Sequence, residues 1–147
     1  MSIDNATNND TAVLGAEIAL LAEALIRWLA DGVRPARLFA ADVFADVSLP
    51  HWRLQATNAE ELYAIREGGG HTGGGRVSVE GLNRTTRGFL LQFAERWAAG
   101  GQQWYARELI HAVVTGGLIS ELIVYCTGDW DEDVQRTHAA EVYLPRP

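Results

Sequence analysis

The chain has no lysine: all twelve of its basic residues are arginine. That excludes a Schiff-base lysine, and with it pyridoxal phosphate enzymes and amine-type aldolases. It also excludes the usual phosphate-binding loop, whose lysine reaches the phosphates. There is one cysteine, Cys126, so no internal disulfide forms, and a reducing cytoplasm is the expected setting. No apolar run approaches the ~20 residues of a membrane span. The first ten residues are polar and lack the apolar core of a signal peptide. Positive charge is scarce: a net charge of −7 argues against nucleic acid or an anionic membrane as the main partner. No dense set of His, Cys and Asp suggests a metal, and no motif calls for a cofactor.

What is present suits a globular protein. The 147 residues are 48% hydrophobic and 21% charged, and folding should bury roughly two-thirds of the chain's surface. The expected organisation is a disordered tail over residues 1–10 and a single domain over 11–147.

The most informative stretch is 89–131. Residues 89–97, 104–114 and 118–126 are rich in β-branched and aromatic side chains. They are interrupted only at Ala99-Gly100-Gly101 and Thr115-Gly116-Gly117, both hairpin signals. Because side chains alternate along a strand, the spacing predicts one face bearing Gln92, Arg96, Tyr105, Arg107, Leu109, His111, Ser120, Leu122, Val124 and Cys126. The other face carries Phe89, Leu91, Phe93, Trp97, Trp104, Ile110, Val114, Ile119, Ile123 and Tyr125, relieved mainly by Glu95, Glu108 and Glu121. Both faces are too apolar for a solvated sheet face, so both should be covered.

Upstream, Leu14, Ile18, Leu21, Leu25 and Trp28 recur at helical spacing and predict a helix over 12–30, ended by Gly32. Pro35 starts a short second helix over 35–41. Residues 42–48 read as a strand stopped by Pro50 and extended irregularly over 52–56. Asn58 caps a helix over 59–67. The glycine run 68–75 is a flexible connection or a lid over a site. A strand over 76–87 follows, and after the three-strand block come a turn, a short helix near 132–140 and a final extended segment. A long helix and a curved mixed sheet in this order make a cone with one open end.

This order, with Asp42-Val43-Phe44-Ala45-Asp46 before Pro50 and Gly117-Leu118-Ile119-Ser120-Glu121 opening the last long strand, resembles the nuclear transport factor 2-like superfamily over residues 12–131. Within it, the chain looks most like the SnoaL-like polyketide cyclase and ketosteroid isomerase-like group. The resemblance implies an α+β cone, a curved mixed sheet wrapped around a long N-terminal helix, usually dimeric through the outer sheet face. Its members include isomerases, dehydratases, epoxide hydrolases, cyclases and non-catalytic binding domains. The resemblance also orients the faces. Counting from Ile119 puts Ser120, Leu122, Val124 and Cys126 in the pocket with Arg96, Arg107 and His111, and counting back from Pro50 adds Phe44, Asp46 and Ser48. The greasier face then becomes the dimer surface. Where the epoxide hydrolases carry an Asp on the last strand, this chain has Val124, and the isomerase pair of a Tyr and a protonated Asp has no clean match.

On that orientation the candidate catalytic residues are Asp46 as base, His111 as proton shuttle, Arg107 as anion stabiliser and Asp129 as a further acid or base. The alternative for Asp46 and Arg107 is a buried ion pair, and for Asp129 and Asp131 a turn and a helix cap. Ser48, Trp52, Tyr63, Gln92, Arg96, Tyr105, Leu122, Val124 and Cys126 are the candidate substrate-binding residues, with Cys126 equally readable as inert packing. The expected function is cofactor-independent acid–base chemistry (isomerisation, dehydration or cyclisation) on a mostly apolar, polyketide-type small molecule. A binding or assembly module of the same fold is the alternative. The expected partners are that small molecule and a second copy of the chain.

Overall fold

The computed structural model describes residues 3–70 and 74–147, with side chains from residue 15 onward. The elements are α1 (Ile3–Asp31), β1 (Phe39–Leu49), β2 (Trp52–Ala56), α2 (Ala59–Gly68), β3 (Arg76–Arg84), β4 (Gly88–Ala99), β5 (Gln102–Thr115), β6 (Leu118–Cys126) and α3 (Glu132–Glu141). The strands form one sheet in the order β2-β1-β6-β5-β4-β3. Only β1 and β6 run parallel; all other neighbours are antiparallel. The result is an open α+β cone, as the element order predicts. Among the described residues, no helix is long and apolar enough to cross a membrane.

The inner face of the sheet holds the core. On α1, Leu21, Ala22, Leu25, Trp28 and Leu29 recur at helical spacing and are all buried. They meet Phe89, Leu91 and Phe93 of β4, each fully buried, with Ile110 and Leu122 alongside. From α2, Leu62 and Tyr63 close the other side, where Tyr63, Trp28 and Phe39 pack edge to face at 5.2–6.0 Å. The Asn58 side chain caps α2 by accepting from the Glu61 N–H at 2.9 Å, and Glu61 reaches back to the Thr57 N–H at 3.1 Å. Both long hairpins turn on Gly-Gly pairs with φ between +60° and +80°, the conformation their two-residue loops demand.

Two expectations about local structure are corrected. The helix predicted from residue 12 begins at Ile3. No proline or glycine interrupts 3–14, and extending an existing helix costs far less than nucleating one. The short helix expected over 35–41 does not form. Leu38 and Phe39 are buried, and the Leu38 carbonyl accepts from Ile119 N–H at 2.8 Å, which draws this segment into the sheet.

The face assignment on β4 and β5 is inverted. Val114 sits opposite Ile119 but Val113 sits opposite Glu121, so Ser120 is an extra residue bulged out of β6. Its hydroxyl bonds the Val113 carbonyl at 3.2 Å and the Thr115 hydroxyl at 3.0 Å. Beyond the bulge, Leu122, Val124 and Cys126 face inward opposite Ala112, Ile110 and Glu108, not His111, Leu109 and Arg107. Phe89, Leu91, Phe93 and Ile110, the greasy face expected to form a dimer surface, are therefore core packed beneath the helices.

Close strand approach constrains one glycine tightly. A Cβ on Gly88 would lie 2.0 Å from the Ala112 carbonyl oxygen, a backbone atom that cannot swing aside. Gly88→Ala is expected to cost about 1–3 kcal/mol, the usual range for overpacking. A midpoint in urea unchanged from the parent's would contradict this reading.

Candidate functional site

The open end of the cone encloses a cavity of about 400 Å³. Its wall is built mostly from apolar side chains: Trp28 and Leu29 from α1, Val47 and Leu49 from β1, Leu54 from β2, Leu62 and Ile65 from α2, Ile110 from β5, and Leu122 and Val124 from β6. The polar members are Arg66, Glu108, Cys126 and Asp129, and the backbone at Gly68 and Gly69 completes the rim. A concave, mainly apolar chamber of this size with a few converging polar groups is the ordinary form of a small-molecule site.

The polar end is organised around two acids on the inner face. Phe93 pairs with Glu108 and Ala106 with Glu95, so the two carboxyls are diagonal neighbours on adjacent strands. Glu95 takes the Arg66 guanidinium in a fork, at 3.1 Å to Nη1 and 3.0 Å to Nη2, and Nη2 also donates to the Leu29 carbonyl at 2.8 Å. This ion pair is shielded, with the Arg66 and Glu95 side chains only 11% and 3% exposed. The guanidinium also lies 6.0 Å from the Trp28 ring centre.

Glu108 has no such partner. Its Oε2 is sealed from solvent and makes no hydrogen bond. Burial, seconded by the charge of Glu95, pushes its pKa up to about 8; Arg66 and a hydrogen bond with the Cys126 thiol pull the other way. Glu108 is thus mostly protonated at neutral pH and able to give up a proton just above it. The same burial, with Glu108 beside it, raises the Cys126 thiol well above its ordinary range. The Cys126 sulfur also accepts from the Gly128 N–H at 3.3 Å. A thiol held protonated is no nucleophile. Among the described residues no group of His, Cys, Asp or Glu could hold a metal ion.

The structure separates the residues the sequence grouped. Leu122, Val124, Cys126 and Asp129 line the cavity, while Asp131 caps α3 by accepting from the Val134 N–H at 2.9 Å. Asp46, Arg107 and His111 do not meet in the cavity. Asp46 and Ser48 alternate with the inward Val47 and Leu49 and so lie on the outer sheet face. Asp46 is forked by Arg53 at 2.9 Å and bonded by Gln55, and the Arg53 hydrogen bond lowers its pKa, the opposite of what a general base needs. Arg107 pairs with Glu80, which also accepts from Gln92. Among the described residues, His111 shares a hydrogen bond with the Thr85 hydroxyl, at 3.4 Å. The extra residue Ser120 accounts for the displacement on β5.

Other expected pocket residues have different contacts. The Arg96 guanidinium lies 4.5 Å over the Tyr105 ring and bonds Gln135, while Tyr105 packs on Trp130 and pairs with it through the backbone; together they fasten α3 to the sheet. Tyr63 is buried in the core beneath Arg34. Trp52 is 69% exposed, outside the cavity wall. Of the glycine run, Gly68 and Gly69 reach the rim, and residues 71–73 lie outside the described residues. Exchanging Asp46→Asn and His111→Ala together is expected to leave ligand binding in the cavity within about twofold of the parent, because neither group reaches its wall. Loss of binding in the double variant, measured by ligand-observed NMR, would refute this placement.

Sequence reasoning missed Glu108, Glu95 and Arg66 as a unit. A signal for two of them was present: acids recurring on an otherwise apolar strand face must be either paired or perturbed.

No family model matches the chain, and no curated protein matches it. Solved structures do. An LEH-like epoxide hydrolase from M. tuberculosis is similar with a TM-score of 0.55 at 11% identity, covering 76% of this chain and 83% of that one. A nuclear transport factor 2-like protein of unknown function from Burkholderia xenovorans LB400 gives 0.54 at 13% identity, covering 88% and 96%. A ketosteroid isomerase-like protein from Kribbella flavida gives 0.53 at 16% identity, covering 89% and 93%. At these identities the likeness shows the fold, which is nuclear transport factor 2-like.

Proposed function

We propose that this protein is a small cofactor-independent enzyme that moves protons on a mostly apolar small molecule held in the cone. The observation that supports this reading is a carboxyl group, Glu108, set in an apolar cavity and titrating near neutrality. A protonated carboxyl there can donate to a carbonyl or leaving hydroxyl oxygen of a bound molecule and recover the proton at a later step. Such a group is well matched to both directions of transfer, since its pKa lies close to the operating pH. Asp129, the exposed carboxyl at the rim, is the second acid–base group in reach of the chamber. Isomerisation, dehydration and ring closure of a polyketide-type molecule, as in the SnoaL-like proteins, are the reactions this arrangement serves. The fold is shared with an epoxide hydrolase-like and an isomerase-like protein, which is consistent with small-molecule chemistry.

The test has two arms. Glu108→Gln is expected to lower turnover about 10²- to 10⁴-fold, the usual worth of a positioned acid or base, while the cavity still binds its ligand. Val47→Phe, which fills the chamber from β1, is expected to abolish binding and turnover together. If Glu108→Gln turns over at the parent's rate, the catalytic reading fails. Binding without turnover of any uncharged cyclic ketone, hydroxyketone or epoxide leaves a binding module of the same fold.

A further inference from the structure

The cavity wall contains one cation among the described residues, Arg66, and that cation is already engaged. Glu95 holds both of its terminal nitrogens at 3.0–3.1 Å, and the Leu29 carbonyl adds a third contact. Its remaining nitrogen, Nε, is buried without a partner, so the fork on Glu95 fixes where the guanidinium points. The groups that face Glu108 are Arg66 from α2, Glu95 from β4, Cys126 from β6 and Asp129 beyond it. Two of these carry negative charge, one is a protonated thiol, and the positive one is turned to Glu95. A carboxylate or phosphate on a ligand would enter an apolar chamber, past Asp129, where the one guanidinium already has its charge balanced by Glu95. A buried anion left uncompensated is strongly disfavoured. An uncharged oxygen, by contrast, can accept a hydrogen bond from Glu108.

We propose that Glu95 is the specificity-determining residue of the cavity. By occupying Arg66, it makes the site select uncharged ligands that carry an oxygen facing Glu108, and reject anionic ones. This rests on the reading of the cavity as a small-molecule site, but not on catalysis. An ion pair buried beside a ligand chamber is weak evidence for stability, because an apolar pair of similar volume often serves as well. A role in setting the charge of the site accounts for the pair's position, with Arg66 in the cavity wall and Glu95 behind it.

The experiment compares two ligands of one shape, the bicyclic ketone decalone and decalin carboxylate, by calorimetry near neutral pH. The parent protein is expected to bind the ketone at least about tenfold more tightly than the carboxylate. Glu95→Gln releases Arg66 and is expected to move that ratio about tenfold or more toward the carboxylate. The double variant Arg66→Met with Glu95→Leu replaces the pair by apolar side chains. It is expected to keep the ketone and to gain nothing for the carboxylate, which assigns the gain to the freed guanidinium rather than to a loosened fold. Equal binding of both probes by the parent overturns the inference, as does an unchanged ratio in Glu95→Gln or failure of both probes to bind. If Glu95→Gln does not fold, the parent's ratio and that of the double variant decide in the same sense. Turnover of anionic substrates that depends on Glu108 would sink this inference and leave the proposed function standing. Selective binding of the ketone without turnover of any substrate would do the reverse.

Discussion

Glu108→Gln is expected to make the protein more stable than its parent in mildly alkaline solution, by about 2–5 kcal/mol, and to change little in acid. The unfolded chain releases this proton near pH 4.5 and the folded one near pH 8. Between those values the folded protein holds a proton that the unfolded chain has lost, so stability falls as pH rises. The contribution is fully present below about pH 4.5 and is gone above about pH 8. A displacement of this size corresponds to at most about 5 kcal/mol, at about 1.4 kcal/mol per unit. Glutamine has nearly the shape of the protonated acid and cannot ionise, so it escapes the loss. Urea unfolding at about pH 5 and about pH 9 reads the effect, with the titrating groups remote from Glu108 cancelling between variant and parent. Parallel stability curves for the two proteins would show that Glu108 has an ordinary pKa, and the acid–base reading of the cavity would lose its basis.

The second large effect is expected at Arg66. Arg66→Met takes from Glu95, 3% exposed, the guanidinium that forks it. Breaking a buried pair from one side typically costs about 3–5 kcal/mol, because the surviving charge stays buried. For a chain of this length each kcal/mol lowers the melting temperature by roughly 2–4 °C, so a loss near 10 °C is expected. Adding Glu95→Leu to the same protein should recover most of it. A surface pair offers the contrast: Arg107 and Glu80 are 51% and 30% exposed at the side chain, and Arg107→Ala should cost about 1 kcal/mol or less. If Arg66→Met and Arg107→Ala prove equally mild, the Arg66–Glu95 pair is more hydrated than its burial indicates.

The fold was largely legible in the sequence because its strands are long and locally consistent. β6 spans Leu118–Cys126 as expected, and the Gly-Gly hairpins define both neighbouring strands. The segment at Leu38 and Phe39 was not legible. Pro35 favours a helix start, but pairing with Ile119 on a strand far along the chain outweighs that local preference. The site was harder for a related reason. An alternating pattern shows which residues share a face only while the ladder keeps step, and Ser120 breaks the step at the start of β6. Val124 and Cys126 were assigned to the cavity side correctly on β6 itself, whereas Arg107 and His111 were carried there through a hairpin whose register shifts. Glu95 and Glu108 stood out as acids on an apolar face. Arg66, 29 residues before Glu95 and on a helix, had no local mark of its role.

The bulge at Ser120 also bears on how such a sheet can change over time. Losing or gaining one residue at this corner would exchange the two surfaces of the remainder of β6, turning Leu122, Val124 and Cys126 to the side that carries the imidazole and the guanidinium on β5. A pair of residues could be added or removed there with no such reversal. Descendants of this gene should therefore tolerate even-numbered length changes at that hairpin, and an odd one would amount to the invention of a different chamber.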